Sequence, residues 1–185
     1  MEYLEKVPME VNQIKYGETE KRIITDDEFK KVLTIEPNSV LQAYYRVAYS
    51  CGLRRCEMND SEYVIIDGQD YLRITTTKGK KPMRFVPIND KTLVKDWQMV
   101  KAHQYSKGRV TKGFTKAAKA AGVYVPYKKT LHGNRHSFAT YWAKRGDNMM
   151  MLKKVMGHSS LKTTEQYADA DYLFYVSNTK TGASA

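Results

Sequence analysis

Arg54, Lys78, His132, Arg135, His158 and Tyr167 follow one another in that order along a chain of 185 residues. Three cations of this kind can hold a phosphate, two imidazoles can move or donate protons, and a tyrosine can attack phosphorus. Together they are the groups that a phosphoryl transfer without metal requires. Residue types alone decide little here, because Tyr167 is one of 14 tyrosines in a basic chain. Local context decides more. Arg54 sits in CGLRRCE, Lys78 in TTTKGKKPMRFVP, His132 and Arg135 in TLHGNRHSFAT, His158 in VMGHSSLKTT, and Tyr167 closes the run as TTEQY.

These segments, in this order and spacing from about residue 25 to residue 167, resemble the boxes of the tyrosine recombinase family, which includes phage-type integrases and Xer recombinases. The resemblance implies an enzyme that cleaves and rejoins DNA at a specific site through a 3′-phosphotyrosine, without metal, cofactor or ATP. It implies that Tyr167 is the nucleophile and that Arg54 and Arg135 stabilise the non-bridging oxygens. It also makes Lys78 the acid for the leaving 5′ oxygen, His132 the general acid/base, His158 a phosphate hydrogen-bond donor and Glu57 a nearby orienting carboxylate. Double-stranded DNA is the implied partner, with self-association as a tetramer on it. Arg55, Lys80, Lys81 and Arg84 are expected to touch the DNA backbone. Two other functions share these residues: type IB topoisomerase-like relaxation, and a non-catalytic DNA-binding module that keeps the fold.

Each residue also has a plainer reading. Arg54 and Arg55 could be a solvated pair, but they lie between Cys51 and Met58 in apolar sequence, so at least one guanidinium points inward and needs an anion. Lys78, Lys80 and Lys81 form a cluster in which the resemblance selects Lys78, before Gly79. His132 and His136 have the spacing of a zinc-binding helix pair, yet Gly133 stands where that motif carries its water-activating glutamate. Asn134 occupies a place where the family usually has an apolar residue. Cys51 and Cys56 lack metal or redox spacing and read as small packing residues.

Lys and Arg number 31 against 20 Asp and Glu, a net charge of +11, so a polyanion is the natural ligand. No apolar run reaches membrane-spanning length, and the first residues lack the order of a signal peptide. A cytoplasmic, nucleoid-associated protein is the expectation.

The elements that must position these groups are legible from caps and periodicity. Residues 1–24 read as a linker from an amino-terminal domain, 25–168 as the catalytic domain, and 169–185 as a tail able to dock on a neighbouring protomer. Thr25 with Glu28 forms a capping box, starting a helix to about residue 34. Asn38 or Ser39 caps a second helix that ends at Gly52, and a further short helix is expected from Arg54. Strands are expected at 63–66, 71–76 and 84–87, with Lys78 at a hairpin bend. Helices follow at roughly 90–105, 110–121, 131–145, 149–156 and 161–168, with Thr130 capping the third-last. The expected class is α+β, mainly α, with a small three-stranded antiparallel sheet.

Overall fold

The computed structural model describes residues 22–75, 83–145 and 148–158. The first helix, α1 (Asp26–Ile35), starts at the expected capping box, with Glu28 N–H bonded to Thr25 Oγ1 and Thr25 N–H bonded to Glu28 Oε2. Asn38 caps α2 (Ser39–Cys51) by accepting from Leu41 N–H. Gly52 ends α2 in the left-handed region, at φ 59°. A Cβ there would lie 2.4 Å from Phe138, so only glycine allows both the turn and the contact.

Beyond Gly52 the expected short helix does not form. Residues 55–60 are turns instead, opened by a three-residue bond from Glu57 N–H to Arg54 O at 2.8 Å, and the Glu57 carboxylate turns inward to Arg54 and Arg84. The sheet comprises β1 (Glu62–Ile66), β2 (Gln69–Ile74) and β3 (Arg84–Pro87), antiparallel in the order β1-β2-β3. Asp67 and Gly68 both have positive φ, the two-residue turn that suits the twist of a hairpin. That turn pairs Gln69 directly with Ile66, so β2 begins two residues earlier than residue 71. Leu72, Ile74 and Val86 alternate inward and are fully covered. The bend carrying Lys78, Lys80 and Lys81 falls outside the described residues.

Then come α3 (Lys91–His103), α4 (Lys107–Ala120), α5 (Gly133–Lys144) and α6 (Met149–Met156), making six helices among the described residues. The expected helix at 161–168 lies outside them. Ser106 caps α4 and starts it three residues earlier than residue 110. A bidentate pair from Arg46 to Asp96, both bonds 2.7 Å, ties α2 to α3. Gly113 lets α4 close on α2, since a Cβ there would meet Tyr45 Oη at 2.7 Å and Leu41 Cδ1 at 2.8 Å. The core is centred on α2, whose Tyr44, Tyr45, Val47 and Ala48 are buried and packed together with Phe114, Ile24 and Ala139. No described helix is long and apolar enough to cross a membrane.

One packing expectation needs correction, that for Cys56. Cys51 is buried, and burial pushes its thiol pKa up to about 12, but Cys56 is exposed because the turn after Arg54 carries it outward. Asn134 is completely covered, and neither its Oδ1 nor its Nδ2 finds a partner among the described residues. A buried amide of that kind costs about 1–3 kcal/mol, so this departure from an apolar residue weakens the packing it joins.

Candidate active site

Glu57 organises the site from beneath. Its carboxylate is 5% exposed and accepts from Arg54 N–H (2.7 Å), Arg54 Nη1 (2.9 Å), Arg84 Nη1 (3.1 Å) and Arg84 Nη2 (2.8 Å). The two guanidiniums differ in what remains of them. Arg84 has only 6% of its side chain exposed, and its Nε donates to Val155 O at 2.7 Å. Arg54 keeps 34% of its side chain exposed and can still face an arriving phosphate.

An open backbone contact to DNA is therefore not what Arg84 makes. Its three nitrogens bind Glu57 under the Arg54 turn and the carbonyl of Val155 near the end of α6, so it holds β3, that turn and α6 together. Burial lowers its pKa, and the adjacent Glu57 charge opposes that shift. Gly157, at φ 62°, lets the arginine pass, since a Cβ there would sit 2.9 Å from Arg84 Cδ. Arg55, by contrast, is exposed and donates to Thr111 Oγ1 at 3.1 Å.

Arg135 enters from α5. It is 4% exposed, donates from Nη1 to Gly52 O at 2.7 Å and from Nη2 to Met156 O, and so ties the residue before the Arg54 turn to the residue before Gly157. His132 lies one helical turn before it. Thr130 does not cap α5 with its hydroxyl. His132 is already helical at φ −69° and ψ −24°, so the chain enters through overlapping turns in which Thr130 O accepts from Gly133 N–H and His132 O from Arg135 N–H. The Gly133 and Arg135 amides are consequently spent within the chain.

The imidazoles sense the same cations. His132 stays partly open to solvent, and its pKa is lowered by crowding of protein around the ring, then by Arg135, Arg54 and Arg22. Burial pushes His158 down to about 4, with Arg135, Arg54, Arg84 and His136 adding to the effect. Arg54, His132, Arg135 and His158, drawn from three separated segments, thus share one electrostatic neighbourhood, with Glu57 and Arg84 below it. Lys78 and Tyr167 fall outside the described residues.

From spacing, His136 is expected only as the second member of a metal pair. Its ring instead meets His132 edge to face with centroids 5.1 Å apart, and burial followed by His132, Arg22 and Arg135 pushes its pKa down to about 4. Neutral imidazoles follow at pH 7 for both His136 and His158. In the unfolded chain both titrate near 6.5, so the unfolded state binds more protons below that pH and stability falls as pH drops toward about 4. The thermal midpoint is expected to decline already between about pH 6.5 and 5, above the range where carboxylates titrate. His136→Gln should flatten that decline, and a profile equally steep in the variant would contradict the assignment.

The catalytic boxes leave α4 out, yet it carries a surface of its own. Arg109, Lys112, Lys116 and Lys119 fall at spacings of three, four and three, forming one exposed stripe, while Val110, Phe114, Ala117 and Ala118 bury the opposite face. Arg55 reaches this helix through Thr111. A legible signal for it exists in the sequence: no Asp or Glu occurs between Asp96 and Asp147, a stretch that carries Lys101, Lys107, Arg135 and Lys144 as well as the stripe.

With this geometry in place, comparison with known proteins adds the lineage. The family model described as the phage integrase family matches residues 22–173. The chain belongs to that family. Among relatives, tyrosine recombinase XerA of Pyrococcus horikoshii is 28% identical over 159 residues, covering 78% of this chain and 55% of the relative. The chain thus spans little more than half the length of that integrase-family protein. The catalytic domain of bacteriophage HP1 integrase superposes with a TM-score of 0.60 at 24% identity, covering 85% of this chain and 93% of that one. XerH site-specific recombinase, bound to its difH substrate in a pre-cleavage complex, gives a TM-score of 0.62 at 19% identity over 80% of this chain and 50% of that one. These likenesses establish the phage integrase catalytic fold, a mainly helical domain with a small antiparallel sheet.

Proposed function

We propose that this chain carries the catalytic centre of a site-specific DNA recombinase. Tyr167 Oη attacks the scissile phosphorus in line and gives its proton to His132, whose neutral imidazole is ready to act as a base at pH 7. The bond from phosphorus to the 5′ oxygen breaks, and the Lys78 ammonium protonates that oxygen as it leaves. The products are a 3′-phosphotyrosine and a 5′ hydroxyl. Arg54 and Arg135 stabilise the charge on the non-bridging oxygens, and the neutral His158 ring donates one hydrogen bond to them. Attack by a 5′ hydroxyl from another duplex reverses the chemistry and completes recombination.

The observation that carries this reading is the convergence of Arg54, His132, Arg135 and His158 around the partly open guanidinium of Arg54, held by Glu57. The acid-free stripe on α4, with Arg55 beside it, suits a duplex backbone, and Lys80 and Lys81 are proposed to add to that contact. XerH, a relative of the same fold, is bound to its DNA substrate, and assembly into a tetramer on DNA is the arrangement proposed here.

The test is a covalent trap. A pool of nicked duplexes randomised in sequence is incubated with the chain in EDTA, and adducts are resolved on a denaturing gel. A protein–DNA band that survives chelation is the expected result, because guanidiniums supply the charge that a Lewis acid supplies elsewhere. No adduct from any member of the pool, or an adduct only with an added divalent ion, would overturn the reading.

A further inference from the structure

Between α4 and α5 the chain makes a tight turn, Val125-Pro126-Tyr127-Lys128, closed by Lys128 N–H bonding to Val125 O at 3.1 Å. Proline occupies the second position, and the third has φ 59°. That is the pattern of a turn whose third residue is ordinarily glycine. Here it is a tyrosine, 97% exposed. A side chain held in the left-handed region costs about 1–3 kcal/mol, and one this exposed recovers nothing by burial against the described residues. Strain and exposure at one residue point to a contact that the described residues do not make.

The surroundings identify the partner. The turn joins the basic helix α4 to α5, five residues before His132, and the Lys128 carbonyl lies 3.1 Å from where a Cβ on Gly133 would be. Lys119 at the end of the stripe lies over the Tyr124 ring at 5.1 Å. Lys129 is anchored to Glu28, which fixes the turn on α1. The turn is therefore pinned to α1 and packed against the start of α5, and presents one exposed aromatic ring five residues before His132.

We propose that Tyr127 is a DNA-contact residue, its ring laid against the sugars of the duplex flanking the scissile phosphate. The proposal rests on the DNA reading above and adds to it an anchor that neither the catalytic boxes nor the basic stripe contains. Fixing the ring in advance reduces the ordering cost that a flexible side chain would incur on binding.

The experiment measures anisotropy of a fluorescein-labelled duplex of random sequence at low salt, together with thermal midpoints. Tyr127→Gly removes the ring and relieves the strain. It should weaken binding about tenfold, or ~1.4 kcal/mol, the scale of one aromatic ring losing a partly buried apolar contact, with a midpoint no lower than the parent's. Tyr127→Asn, which also tolerates positive φ, should weaken binding equally, and Tyr127→Phe should retain it. Binding by Tyr127→Gly or Tyr127→Asn as tight as the parent's would overturn the proposal alone. A parent chain that binds no duplex at low salt would overturn the DNA reading, and this proposal with it.

Discussion

Tyr167→Phe is expected to eliminate the covalent protein–DNA adduct while changing duplex affinity by no more than a few fold. The substitution removes one oxygen and leaves the ring. Loss of the nucleophile in covalent catalysis costs on the order of 10⁶ in rate, so no adduct should be visible on the gel that reveals the parent's. Affinity depends instead on many Lys and Arg contacts to phosphate, and a single phenolic oxygen adds little to them. Binding measured beside the adduct therefore separates lost chemistry from lost folding. An adduct that persists in Tyr167→Phe would move the nucleophile elsewhere, with Tyr172 and Tyr175 next to be tested.

Glu57→Gln should be the most damaging substitution to stability at the site. The carboxylate accepts four hydrogen bonds, two from Arg84 and two from Arg54. Glutamine offers one oxygen, and its NH2 group faces donors in place of the other. Arg84 is then left as a buried cation without a counter-charge, a situation that costs about 3–5 kcal/mol. Set against a total stability of roughly 5–15 kcal/mol, that is a large share. At about 2–4 °C per kcal/mol for a chain of this size, the thermal midpoint should fall by roughly 10 °C. Adduct formation by the folded fraction should fall too, because the Arg54 turn is held by the same carboxylate. A midpoint within about 2 °C of the parent's would mean that the arginines find other anions, and that Glu57 does not hold the turn.

Most of the elements are legible in the sequence because local chemistry dictates where they start and stop. Thr25 with Glu28, Asn38, Gly52, the Asp67–Gly68 turn and Gly157 each answer to orphan amides or to positive φ, which depend on a few neighbouring residues, and each stands where its sequence context puts it. Arg54, His132, Arg135 and His158 are likewise recognisable from their contexts, because their order survives in one dimension.

Tertiary structure alone decides what those residues are attached to. In sequence, Arg84 is one more cation near a basic bend, and nothing local distinguishes it from Lys80 or Lys81. Its burial follows from Glu57 and Val155, 27 and 71 positions away. The hydroxyl of Thr130 is free to cap α5 in a linear reading, but close packing of Gly133 against the Arg22 and Lys128 carbonyls accompanies an entry through overlapping turns instead. The neutral state of His136 and His158 depends on desolvation and on arginines from other segments, which a chain acquires only when it folds. Sequence determined which groups this protein has and roughly where each helix and strand begins. Folding decided which of its cations stay open to solvent and which are enclosed, because burial and pairing are properties of residues distant in the chain and adjacent in space.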